Sequence, residues 1–201
     1  MAKGANDIIL RDRLQFDIDA NGDTSLVYGR IDLSDYVSIP EAKGLAIKEV
    51  RFQLRTRVVG DNGVWPNYMG PADFSTFAAN FEFNQSVKIF ATTTAYENVV
   101  DVGIGSPNVL CVFDKQSKCF GMNGATAAVA IDTYEHMFGT PDLHPEGYDV
   151  VTDLLIGIAC QNLTDAQLLS STAEIDVMLI CEKKKITNKD LTQMLSQAQD
   201  V

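Results

Sequence analysis

The residues best spaced for chemistry are Asp17, Asp19, Asn21 and Asp23, which set alternating oxygen-bearing side chains around Gly22 in the order D-x-D-x-N-G-D. That order opens an EF-hand loop, where alternate oxygens wrap a hard cation such as Ca²⁺. The loop's last ligand position falls on Tyr28, where a bidentate glutamate belongs, and the flanks alternate like strands instead of forming helices. Two readings stand: an ordinary turn with solvated acids, or a partial Ca²⁺ site. No other cofactor is expected.

A second group is cationic. Arg51, Arg55 and Arg57 alternate with Val50, Phe52, Leu54, Thr56 and Val58, so they form a basic stripe opposite an apolar face. They either pair across strands with Asp17, Asp19 or Asp32, or meet an acidic neighbouring subunit or packaged nucleic acid. His136 and His144, with Glu135, Asp142 and Glu146 nearby, show no metal-ligand spacing and read as surface or loop histidines. G-x-S-x-G is absent, and Gly103-x-Gly105 lacks the third glycine of a dinucleotide loop, so the chain is not read as an enzyme. Trp65 and Tyr68 lie in an irregular connection over residues 60–73, a length at which loops are often functional.

These groups must be held by strands. Alternation over residues 50–58 predicts a half-buried strand, and burying its apolar face requires a second layer. Leu14, Phe16 and Ile18, the turn Asn21-Gly22 and a resumed strand over 26–33 predict a hairpin. Further strands are expected over 87–93, 99–104, 109–113, 125–138, 150–160 and 175–181. Cys111, Cys119, Cys160 and Cys181 form no C-x-x-C pair and read as buried thiols. A hairpin turn over 114–118 would place Cys111 near Cys119 for a disulfide.

The tail differs in kind. Thr187-Asn188-Lys189-Asp190 has capping-box form, and Leu191, Met194, Leu195 and Ala198 recur at helical spacing. So short a helix needs a surface to pack on, either its own sandwich or a neighbouring subunit.

With 46% apolar and 21% charged residues the bulk of the chain has ordinary globular composition, and 201 residues suit one domain. A net charge of −11 disfavours a coat for bare nucleic acid. The apolar run over 154–160 is far shorter than a membrane span, and the run over 8–10 is too brief for a signal-peptide core, so the expectation is a soluble intracellular product. The expected architecture is all-β: an eight-stranded, jelly-roll-like β-sandwich over 14–186, an N-terminal arm over 1–13, and a C-terminal helix over 187–201.

The polar arm, the strand series, the stretch Tyr28-Gly29-Arg30-Ile31-Asp32-Leu33-Ser34-Asp35-Tyr36 leading into residues 45–54, and the closing pair 154–160 and 175–181 together resemble a single jelly-roll capsid protein of an icosahedral virus. The resemblance implies a structural subunit of a virion, made in the host cytoplasm, that assembles with itself and with other capsid proteins through barrel faces, loops and arms. On that reading Arg51, Arg55, Arg57, Trp65, Leu191, Met194 and Leu195 are interface residues. The rival reading is a Ca²⁺-assisted carbohydrate-binding sandwich, with Trp65 and Tyr68 stacking on sugar faces beside the Asp17 turn.

Overall fold

The computed structural model describes residues 7–57, 62–74, 80–122, 128–139, 147–187 and 189–192. Within them run strands β1 (Asp7–Asp17), β2 (Thr24–Ile31), β3 (Lys43–Thr56), β4 (Asn80–Thr92), β5 (Val109–Met122), β6 (Ala128–Phe138), β7 (Tyr148–Val150), β8 (Leu154–Gln161) and β9 (Thr172–Lys185). They form two antiparallel sheets, ordered β1-β9-β3-β7 and β2-β8-β4-β5-β6. With β6 set aside, the first strand pairs with the last, the second with the seventh, the third with the sixth and the fourth with the fifth. That is a long antiparallel ribbon rolled into two facing sheets, the jelly roll. The ninth strand, β6, extends one sheet beyond the eight expected.

The period-2 pattern explains the layering. Phe16 from β1, Val50 from β3, Ala173, Ile175, Val177 and Leu179 from β9, and Val87, Ile89, Ile156 and Ile158 from β4 and β8 are all buried in one core between the sheets. Each alternate residue points the other way, and on β3 those are the arginines.

Several expectations change. β1 begins at Asp7, so residues 7–13, read as part of an arm, lie in a sheet and pair with β9 from Asp7↔Glu182 onward. The reversal at Asn21-Gly22 is present: the Asp19 N–H donates to the Asp23 carbonyl at 3.0 Å, and Gly22 takes φ +80° with the Leu163 carbonyl where a Cβ would sit. It does not make a hairpin, because β1 pairs with β9 and β2 with β8, in different sheets. Local turn chemistry sets the reversal, while pairing with the distant strands β8 and β9 decides the neighbours.

Residues 99–104 are not a strand; Val99–Asp101 is a single 3₁₀ turn capped by Asn98, whose side chain accepts from the Val100 N–H at 3.4 Å. β5 runs unbroken through 114–118, so Cys111 and Cys119 lie on one strand and cannot bond to each other. All four cysteines are free and buried, and burial pushes the thiols of Cys111, Cys160 and Cys181 up to about 12. The polar stretch looked like a turn because Lys115 and Ser117 face inward: both are buried, Lys115 against Glu135 at 2.9 Å.

Candidate functional site

The outward face of the four-stranded sheet gathers five of the chain's six arginines. Register builds the face in rows: Arg11 and Arg51 flank Met178, Arg13 and Gln53 flank Asp176, and Gln15 and Arg55 flank Glu174. The Arg13 Nε donates to an Asp176 carboxylate oxygen at 2.6 Å. Arg55 lies 3.4 Å from Asp176 and 3.6 Å from Glu174, and Arg57 3.4 Å from Glu174. Arg51 pairs with Glu49. Hydrogen bonding from Arg13 is the largest of the influences that hold the Asp176 carboxyl below the usual aspartate range.

The partners of Arg51, Arg55 and Arg57 are therefore Glu49, Glu174 and Asp176, not the Asp17, Asp19 or Asp32 of the sequence reading. β9 inserts between β1 and β3 and brings its own carboxylates. Five cations meet Glu49, Glu174 and Asp176, with Asp12 also along the groove, so the face keeps a small local positive excess on an acidic chain. Arg11 ion-pairs with none of the described residues. A groove of about 640 Å³ runs along this face, lined by Arg11, Asp12, Arg13, Arg51, Asp176 and Met178 among others.

The Asp17 turn uses its carboxylates internally. Asp19 Oδ1 accepts from the N–H groups of Asn21 and Asp23, each at 2.8 Å, which lowers its pKa. Asp23 Oδ1 accepts from the Asn162 N–H at 2.7 Å, and Asp17 Oδ1 from the Thr172 hydroxyl at 2.6 Å. Asn21 donates its side-chain amide to Asp19 at 3.4 Å. Each acid is thus answered by a donor of its own chain, and they tie the turn to the loop before β9. Among the described residues no three His, Cys, Asp or Glu side chains gather as a metal-holding group.

Trp65, expected at a surface contact, is only 7% exposed and packs with its ring centroid 6.3 Å from that of Phe16. Within the subunit it is part of the core cluster and presents little surface. Tyr68 is half-buried with its hydroxyl enclosed, and burial raises its pKa well above the ordinary tyrosine range. Beside it the Met69 N–H donates to Ser117 Oγ, and Ser117 donates to Gln85 Oε1, each at 3.0 Å.

At the C-terminus the capping box is formed: the Thr187 hydroxyl donates to Asp190 Oδ2 at 2.6 Å, and the Asp190 N–H donates back to Thr187 Oγ1 at 3.2 Å. Leu191, half-buried, begins the helical turn at 189–192. Met194 and Leu195 lie outside the described residues, as do His144, Asp142 and Glu146.

Two features escaped the sequence reading. One is an apolar row across the outer face of the five-stranded sheet, Tyr28, Gly157, Phe90, Val112 and Phe138 in register from β2 to β6. Phe90 is fully buried on this side, edge-on to Tyr28 at 5.9 Å, with its ring where a Gly157 side chain would lie. Val99 and Val102 from the connection between β4 and β5 cover it. The other is β6 itself: Met137 and Phe138 at its end pack against the two apolar clusters, while Val129, Ile131 and Tyr134 stay exposed. No family model matches the chain, and no curated protein matches its sequence.

Proposed function

We propose that this protein is a self-assembling structural subunit, a jelly-roll shell protein of the kind that builds icosahedral virus capsids. The observation that carries the reading is where the chemistry lies. The space between the sheets is occupied by large side chains such as Leu33, Leu45, Ile47, Ile89, Leu154 and Ile156, each essentially without exposure. What such a block offers is its outside: a charged sheet face, an uncovered apolar edge and a tail that begins a capped helix. Rigid blocks with distinct contact surfaces are what a closed shell needs, each interface burying on the order of 1,000 Å² or more. The carbohydrate-binding alternative loses support from the inward turn of Trp65.

Light scattering of the purified protein across salt and protein concentration, with negative-stain microscopy of any large species, tests the reading. Closed particles, rings or capsomer-sized oligomers are the expected result. A monomer under every condition overturns it and makes Ca²⁺ and glycan titrations the next step.

A further inference from the structure

The edge strand β6 carries few of the features that blunt an isolated sheet edge. It runs eleven residues, pairs without a bulge with β5, and contains neither lysine nor proline. Natural edges are blunted by shortness, bulges, charged side chains, above all lysine, or proline, because an open row of N–H and C=O groups templates pairing with another chain; of these β6 has only the acids Asp132 and Glu135, the latter neutralised by Lys115 of its own sheet. Ile131 is 49% exposed and Tyr134 46% exposed, on opposite faces of the strand, and Val129 and Phe120 stand similarly bare. No described residue makes a backbone hydrogen bond to the outer edge.

We propose that β6 pairs antiparallel with β6 of a second copy, joining the two five-stranded sheets into one; this deepens the assembly reading above and rests on it. Among registers centred on residues 132–135, which overlap most of the strand, its own side chains select one. Matching the pleat requires opposed residues of like parity, so the two-fold axis must pass through a residue. An axis at Asp132 or at Glu135 sets like charges directly opposite, which destabilises. An axis at Thr133 sets Ile131 against Glu135. An axis at Tyr134 sets Ile131 against Met137, Asp132 against His136 and Ala130 against Phe138, with Tyr134 meeting itself. Every pair but Thr133–Glu135 is then apolar, aromatic or of acid with imidazole. Glu135 on that pair already has Lys115 as its cation at 2.9 Å.

Three variants, Ile131→Lys, Tyr134→Cys and Asp132→Cys, test this against the wild type. Circular dichroism checks the fold of each, and Ile131 lies outside the core, so its replacement leaves the subunit folded. Light scattering is expected to show self-association weakened about 10- to 30-fold by Ile131→Lys, since the two-fold places two lysines in the interface. Mild oxidation is expected to link Tyr134→Cys into covalent dimers and not Asp132→Cys, whose copies lie about 13 Å apart along the strands at about 3.3 Å per residue. The native thiols are buried and leave the new one as the accessible partner. Linking of Asp132→Cys as readily as Tyr134→Cys overturns the register. Wild-type oligomers unaffected by Ile131→Lys and unlinked at Tyr134→Cys overturn the self-pairing while leaving assembly standing. Dimers that depend on β6 but never grow larger uphold the self-pairing and defeat the shell reading, and a wild type monomeric at all concentrations defeats both.

Discussion

The outer faces of the two sheets solve the same problem in opposite ways. On the four-stranded sheet, polar side chains point outward and answer one another across β1, β9 and β3, so Glu174 alone receives Arg13, Arg55, Arg57 and Gln15. On the five-stranded sheet an apolar row points outward, and the chain covers it with its own β4–β5 connection as far as β5. Beyond Phe138, which still packs on that cluster, the cover ends and Val129, Ile131 and Tyr134 of β6 stand exposed. A face of paired charges tolerates water, whereas a bare apolar edge gains from a partner, at roughly 25 cal/mol per Å² removed from water. The comparison separates a surface complete within one subunit from one that is not.

The comparison breaks most readily at Phe90. Phe90→Ala removes a fully buried ring from the outer row, and the expected loss is about 3–5 kcal/mol of unfolding free energy, read from urea midpoints. A loss near that of an exposed residue would mean that the row is not a second core. Next in size is Glu174→Ala, which removes the carboxylate shared by three guanidiniums, leaving Arg13 and Arg55 to Asp176 and taking from Arg57 its carboxylate among the described residues. About 1–2 kcal/mol is expected in the same assay, because the arginines themselves remain partly hydrated.

A smaller effect sharpens the electrostatic half of the comparison. Asp176 has a folded pKa below its ordinary value, so it stabilises the fold above about pH 3.9, the unfolded aspartate value, and that contribution is lost as pH falls through the lower folded value. With a third of the side chain exposed and solvent screening it, the advantage over Asp176→Asn is about 0.5–1 kcal/mol at neutral pH. Denaturation of the two proteins in parallel down the acid range should show their stabilities converge there. The smallest effect belongs to Arg11→Gln, expected within about 0.5 kcal/mol of the wild type because Arg11 pairs with none of the described residues. A larger loss would show that the positive excess is itself structural.

Much of the layering was legible. Alternation named the inward residues of β3 and β9 and the outward arginines, because a strand's side chains depend only on its own pleat. Capping at Thr187 was legible for the same reason: its partners sit three residues away. The misreadings share a cause. Turn chemistry at Asn21-Gly22 predicted a hairpin that the sandwich does not contain, and polarity over 114–118 predicted a turn where β5 continues inward to Ser117 and Lys115. In both cases a local signal was right about itself and silent about the neighbour. Trp65 followed the same logic, since a loop aromatic is exposed or buried according to what lies beneath it, and here Phe16 does.

By itself, then, the sequence determined the all-β class, the two-sided character of its strands, the buried thiols and the cap of the terminal helix. These rest on periods of two or on contacts within one turn. Only the tertiary structure decided that β9 would run between β1 and β3 and bring carboxylates to the arginines, that an outward row would become a second core, and that β6 would end its sheet uncovered. The first of those outcomes depends on pairings between residues more than 100 positions apart, such as Arg13 with Asp176, and the others on which strands end up beside β4 and β5; no local pattern encodes which strand will arrive.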